Sequence, residues 1–153
     1  MFLLELVRAL ETAGARFALA GGHAVSLHGA VRGTLDIDFV LAWTRADFEA
    51  ASAAMGSLGL TSRLPVSAAQ IFDFREEWLK ERSLVAWSFQ HPSDPGKVVD
   101  FSMTHDLRRL KVKTLPIGGV KVPLLAKADL IAMKRASGRP QDLADIQALD
   151  SLP

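Results

Sequence analysis

The stretch Leu19–Leu41, "LAGGHAVSLHGAVRGTLDIDFVL", sets two carboxylates, Asp36 and Asp38, inside an otherwise apolar run that follows a paired glycine. "RFALA" (Arg16 to Ala20) is a short apolar run closed by Gly21 and Gly22, and "HAVSLHG" has the length of a short helix ended by Gly29. "LDIDFVL" then returns to the β-branched and aromatic residues of a strand. Side chains alternate along a strand, so Asp36, Asp38 and Val40 share one face, while Ile37, Phe39 and Leu41 share the other, which belongs to the core. Two ionised carboxylates at i and i+2 stand roughly 6.5–7 Å apart at Cα and repel unless positive charge lies between them. A divalent cation with oxygen ligands answers that demand; two acids facing water on an edge strand is the plainer reading. The glycine turn favours the cation, because backbone amides at a helix start attract phosphate. A phosphate beside carboxylate-held metal describes a nucleoside triphosphate site.

Outward from this stretch the chain alternates helix and strand. Phe2, Leu3, Leu6, Leu10 and Ala13 fall at helical spacing in a first helix ended by Gly14. Glu5, Arg8 and Glu11 interrupt what a membrane span would need unbroken. "TRADFEAASAAMGSLG" reads as a helix capped by Thr44 and stopped by Gly56 or Gly59, and "PVSAAQIFDFREEWLKERS" as helical turns and a helix. "SLVAWSFQHP" and "KVVDFSM" predict a hairpin across Ser93–Gly96, and "LPIGGVKVPLL" a short strand or two around Gly118 and Gly119. Two helices close the chain, Leu124 to Ser137 and Pro140 to Leu149, with Gly138 and Pro140 at stop and start.

With 153 residues, 49% of them hydrophobic, one domain over residues 1–153 is expected. The absence of cysteine removes disulfides and thiolate chemistry and fits a cytoplasmic protein. The net charge of +1 does not announce a nucleic-acid binder, although residues 105–139 hold nine basic against two acidic side chains. Arg108 to Lys113 read as solvated surface, and His23 and His28 as packing or hydrogen-bonding residues.

The run "GGHAVSLHGAVRGTLDIDFVL" resembles the signature of the DNA polymerase β-like nucleotidyltransferases: a glycine turn, a short helix, then Asp-x-Asp on a strand. "LLAKADLIAMKRASGRPQDLADIQAL" resembles the minimal and abortive-infection toxin-type members, in which a lysine-bearing helix precedes Arg-x-x-Asp-x-x-Asp, here Arg139, Asp142 and Asp145. The resemblance implies an α/β fold with a small mixed sheet flanked by helices and a third carboxylate on a neighbouring strand. Asp100 in "KVVDFSM" suits that role, because it projects from its strand opposite Val99, Phe101 and Met103. It further implies two magnesium ions, or manganese, at Asp36, Asp38 and Asp100, with Asp100 taking the proton of the attacking hydroxyl.

Gly21, Gly22, Arg32, Thr34, Lys127 and Lys134 are then the nucleotide-binding candidates, with Arg139, Asp142 and Asp145 in support. Lys127 and Lys134 emerge beside an apolar helical stripe, where snorkelling alone would place them, and Asp142 suits a helix N-terminus for structural reasons alone. The implied activity is transfer of a nucleoside monophosphate from ATP, GTP or another triphosphate to a hydroxyl of RNA (tRNA included), a protein or a small molecule, with a place in a toxin–antitoxin pair. Two alternatives stand beside it: a nucleotide-binding regulatory or antitoxin module working through a partner protein, and a metal-dependent phosphohydrolase.

Overall fold

Helix α1 (Phe2–Ala13) buries Leu3, Leu6, Val7 and Leu10, and Gly14 ends it at φ +82°. The computed structural model describes residues 1–30 and 36–152. After α1 come β1 (Phe17–Ala20), α2 (Gly21–Leu27), β2 (Ile37–Leu41) and α3 (Arg45–Ser57), the expected order of strand, helix, strand and helix, with Gly21 and Gly22 forming the first turn of α2 where the sequence predicts a separate turn ahead of it. Thr44 caps α3 by accepting the Asp47 N–H at 3.1 Å. The middle holds β3 (Thr61–Ser62), α4 (Ala68–Asp73), α5 (Arg75–Arg82) and the hairpin of β4 (Ala86–Gln90) and β5 (Val98–Ser102).

A second hairpin follows, β6 (Val112–Ile117) with β7 (Val120–Leu125), turning at Gly118 and Gly119 with φ +54° and +79°. Two consecutive positive φ angles match the right-handed twist of a tight hairpin and favour glycine. Helix α6 (Lys127–Ser137) starts three residues later than its apolar pattern predicts, because Leu124 and Leu125 are taken by β7. Helix α7 (Pro140–Asp150) follows, with Gly138 left-handed before it and proline in its first turn. No helix among the described residues is long and apolar enough to cross a membrane.

The strands form one mixed sheet in the order β3-β4-β5-β2-β1-β7-β6. β2 runs antiparallel to β1 and parallel to β5. Two neighbouring rows across the sheet therefore point to opposite faces. One row, Leu19, Phe39, Phe101 and Trp87, faces the core. Phe39 and Phe101 have ring centroids 5.9 Å apart, Phe101 and Trp87 5.6 Å, and Phe48 of α3 stacks on Trp87 at 5.6 Å, closing this face with a helix. In the adjacent row, Ala20, Asp38, Asp100 and Ser88, the first three line a cleft whose other wall is α6 and the start of α7.

The aromatic row anchors the strands that carry the acids. Phe101→Ala is expected to cost about 3–5 kcal/mol, read as a lower urea midpoint at unchanged slope.

Candidate active site

The parallel register of β2 and β5 sets Asp38 directly beside Asp100. Ser88, the next residue in the row, donates its hydroxyl to Asp100 Oδ1 at 2.5 Å. Asp36 stands one position ahead of β2, exposed, and lines the same cleft of about 450 Å³. Burial is the larger cause, and the charges of Asp100 and Asp36 the next, that push the Asp38 carboxyl up to about 6; Lys134 and Arg139 act against the rise. Asp100 is also pushed up, first by burial and then by Asp36, with the Ser88 hydrogen bond opposing.

The glycine turn has a reason visible in this row. Gly21 has φ +62°, and a Cβ there would overlap the Asp38 carboxylate, 2.8 Å from its Cγ. The backbone of the α2 start thus approaches the acid as closely as a residue without a side chain allows. His28, in the hydrogen-bonding role expected of it, ties the end of α2 to β7 with Nε2 2.9 Å from the Leu125 carbonyl oxygen.

The facing wall is ionic. Lys134 Nζ, almost fully buried, sits 3.3 Å from Asp142 Oδ1 and 3.1 Å from Asp145 Oδ2. Arg139 Nε donates to Asp142 Oδ2 at 2.7 Å, and the Arg139 N–H reaches the same oxygen at 3.2 Å. Burial works against the Asp142 carboxylate, but the bonds from Arg139 and Lys134 prevail and hold its pKa below the usual range. The three polar residues of the Arg-x-x-Asp-x-x-Asp segment, with Lys134, therefore form one network that fixes the α6–α7 junction.

Of the residues singled out in the sequence, Gly21, Gly22, Asp36, Asp38, Asp100, Lys134, Arg139 and Asp142 line one cleft. Asp145 stands behind, reached through Lys134. Lys127 is not among the lining residues; its ammonium donates to the Leu152 carbonyl at 3.1 Å and ties α6 to the chain end. Arg32 and Thr34 lie outside the described residues. Arg108 does not simply face water: it forks onto Asp106, which holds the Trp43 N–H. Sequence reasoning missed Ser88, Ser102, Thr104 and His105. Pairing the β4–β5 hairpin outward from its turn would have set Ser88 opposite Asp100.

The donor set suits a hard divalent cation in kind: carboxylates whose mutual repulsion such an ion relieves. Among the described residues no three acidic or histidine side chains are drawn together as a ready-made cation site.

Solved structures of similar fold include a lincosamide antibiotic adenylyltransferase, LnuA, bound to lincomycin, at TM-score 0.66 and 13% identity over 99% of this chain and 96% of that one. ANT(2")-Ia in complex with adenylyl-2"-tobramycin matches at TM-score 0.62 and 12% identity over 97% and 85%. An antigenic nucleotidyltransferase-like protein from Paracoccidioides brasiliensis matches at TM-score 0.61 and 17% identity over 97% and 73%. No protein-family model and no curated protein matches the chain. The chain has the fold of these nucleotidyltransferases.

Because folding raises the Asp38 pKa to about 6, its ionised form destabilises the fold at neutral pH. Asp38→Asn is expected to raise stability by about 2–3 kcal/mol above pH 6 in chelator. That gain shrinks as the pH falls through 6 and is gone below about 4, where the acid is protonated folded and unfolded alike; denaturation across pH checks it. Lys134→Met removes the ammonium shared by Asp142 and Asp145, leaving Asp142 with Arg139 alone, and is expected to cost roughly 3 kcal/mol in the same measurement.

Proposed function

We propose that the protein transfers a nucleoside monophosphate from a nucleoside triphosphate to the hydroxyl of a small-molecule acceptor. The observation that carries this reading is the in-register pair Asp38 and Asp100, two carboxylates with raised pKa in a cleft walled by Lys134 and Arg139. Magnesium or manganese held by Asp36, Asp38 and Asp100, two ions in the full site, would supply charge neutralisation at the attacking and leaving oxygens. Arg139, its guanidinium largely exposed, is placed to meet the triphosphate, and the Gly21–Gly22 turn lets a phosphate approach the backbone. Lys134 is committed to Asp142 and Asp145, so its part is to hold the wall and lend positive charge to Asp38.

In the reaction the acceptor oxygen bonds to the α-phosphorus, the bond from that phosphorus to the α,β-bridging oxygen breaks, and pyrophosphate leaves with the electron pair. The hydroxyl proton passes to Asp100, whose raised pKa suits a base and whose Oδ1 is held by Ser88. The bound molecules named for the similar structures, lincomycin and adenylyl-2"-tobramycin, support a small hydroxylated acceptor over a protein or RNA.

The test is incubation with each α-labelled triphosphate and magnesium in the presence of pooled small metabolites, RNA and protein. Transfer predicts label on a small acceptor with the native protein and at least about 100-fold less with Asp38→Asn or Asp100→Asn. Nucleotide binding with neither label transfer nor pyrophosphate would leave the partner-dependent module.

A further inference from the structure

Five residues past Asp100, the cleft holds an imidazole, His105, that the transfer chemistry above leaves unused. Ser102 shares the face of Asp100 two residues along β5, and its Oγ accepts the N–H groups of Thr104 and His105, each at 3.2 Å. That turn folds His105 back so that it lines the cleft together with Val85, Ala86, Ser102 and Thr104. The His105 Nδ1 is engaged by Thr104 Oγ1 at 2.8 Å, with Ser102 Oγ at 3.4 Å. Its Nε2 makes no hydrogen bond among the described residues. Burial lowers its pKa, so the ring is neutral at pH 7.

The two flanks of the carboxylate pair differ. The charges of Lys134 and Arg139 bear on Asp38, whereas Asp100 responds to Asp36 and Arg63. The strand order β4-β5-β2-β1 puts the glycine turn on the Asp38 side and the Ser102–His105 turn on the Asp100 side. The antiparallel pairing of β1 with β2 sends Gly21 toward the Asp36 end, while Ser102 lies toward the opposite end, level with Ala86. The two turns thus stand diagonally across the acids. In-line displacement at phosphorus needs attacking and leaving oxygens on opposite sides. A triphosphate tail drawn to Lys134 and Arg139, the basic residues that line the cleft, leaves the Asp100 flank for the acceptor.

We infer that Ser102, Thr104 and His105 form the acceptor subsite, with His105 Nε2 hydrogen-bonded to a hydroxyl of an uncharged, polyhydroxylated small molecule. The inference rests on the transfer reading and names its acceptor side. Among the lining residues this flank presents hydroxyls, an imidazole and small apolar groups beside Asp100; Arg63, whose charge acts on Asp100, is not one of them. His105 orients the acceptor by this bond; Asp100 remains the proton acceptor.

The experiment measures magnesium-dependent pyrophosphate release from ATP with glycerol, myo-inositol or maltose as probe acceptors, for the native protein, His105→Ala and His105→Gln. Nitrogen NMR of the imidazoles accompanies it. The subsite predicts a probe KM raised about tenfold or more in His105→Ala, a triphosphate KM within twofold, and partial recovery in His105→Gln, whose amide keeps a hydrogen-bonding group. It also predicts that the probes shift the His105 Nε2 resonance and not those of His23, His28 or His91. Pyrophosphate release with an unmoved His105 resonance, or equal losses in the two KM values, overturns the subsite and leaves transfer standing. A native protein that neither binds ATP nor releases pyrophosphate overturns the transfer reading, and the subsite with it.

Discussion

Asp38 and Asp100 meet in register on adjacent parallel strands, and burial together with the charge of Asp100 makes Asp38 harder to ionise. Like charges directly opposite one another weaken a sheet, so the pairing has to be held by something else. The neighbouring row holds it: Phe39 and Phe101 from the same two strands, and Trp87 from β4 beside them, point to the other face, where burial of aromatic surface fixes the register that the acids would loosen. A slip of one residue would send the carboxylates into that core. Packing on one face thus enforces repulsion on the other, and the repulsion makes the cleft receptive to positive charge.

The opposite wall solves a different problem. Lys134 is buried, and a buried ammonium persists only when paired. Asp142 and Asp145 pair it, and Arg139 completes the count on Asp142. The network sets the angle between α6 and α7 and keeps cationic charge within range of Asp38 without bringing Lys134 into the carboxylate row. Gly21 closes the arrangement on the third side, because only a residue without Cβ lets the start of α2 pass so near Asp38.

Much of this was legible in the chain. Alternation along "LDIDFVL" and "KVVDFSM" put Asp38 and Asp100 opposite the core-facing aromatics, and glycine, proline and Thr44 marked the helix ends. Local periodicity could not give the meeting of β2 with β5, since those strands are some sixty residues apart in the chain and their pairing depends on how the whole sheet closes. It misplaced the start of α6 because an apolar run shared by a buried strand and a helix has no internal boundary. Lys127 and Lys134, both beside the apolar stripe, were indistinguishable by position; only tertiary partners separate a lysine that ties down the chain end from one locked at the cleft wall. His105 went unseen because its place depends on a turn that Ser102 stabilises, not on a strand or helix face.

The central claim is that the carboxylate row forms a metal-dependent triphosphate site. Calorimetric titration with a non-hydrolysable ATP analogue, with magnesium and in chelator, tests it without knowledge of the acceptor. The account predicts binding that requires magnesium and is lost in Asp38→Asn and in Asp100→Asn while both variants remain folded. Binding of equal strength in chelator, or unchanged in those variants, would contradict it.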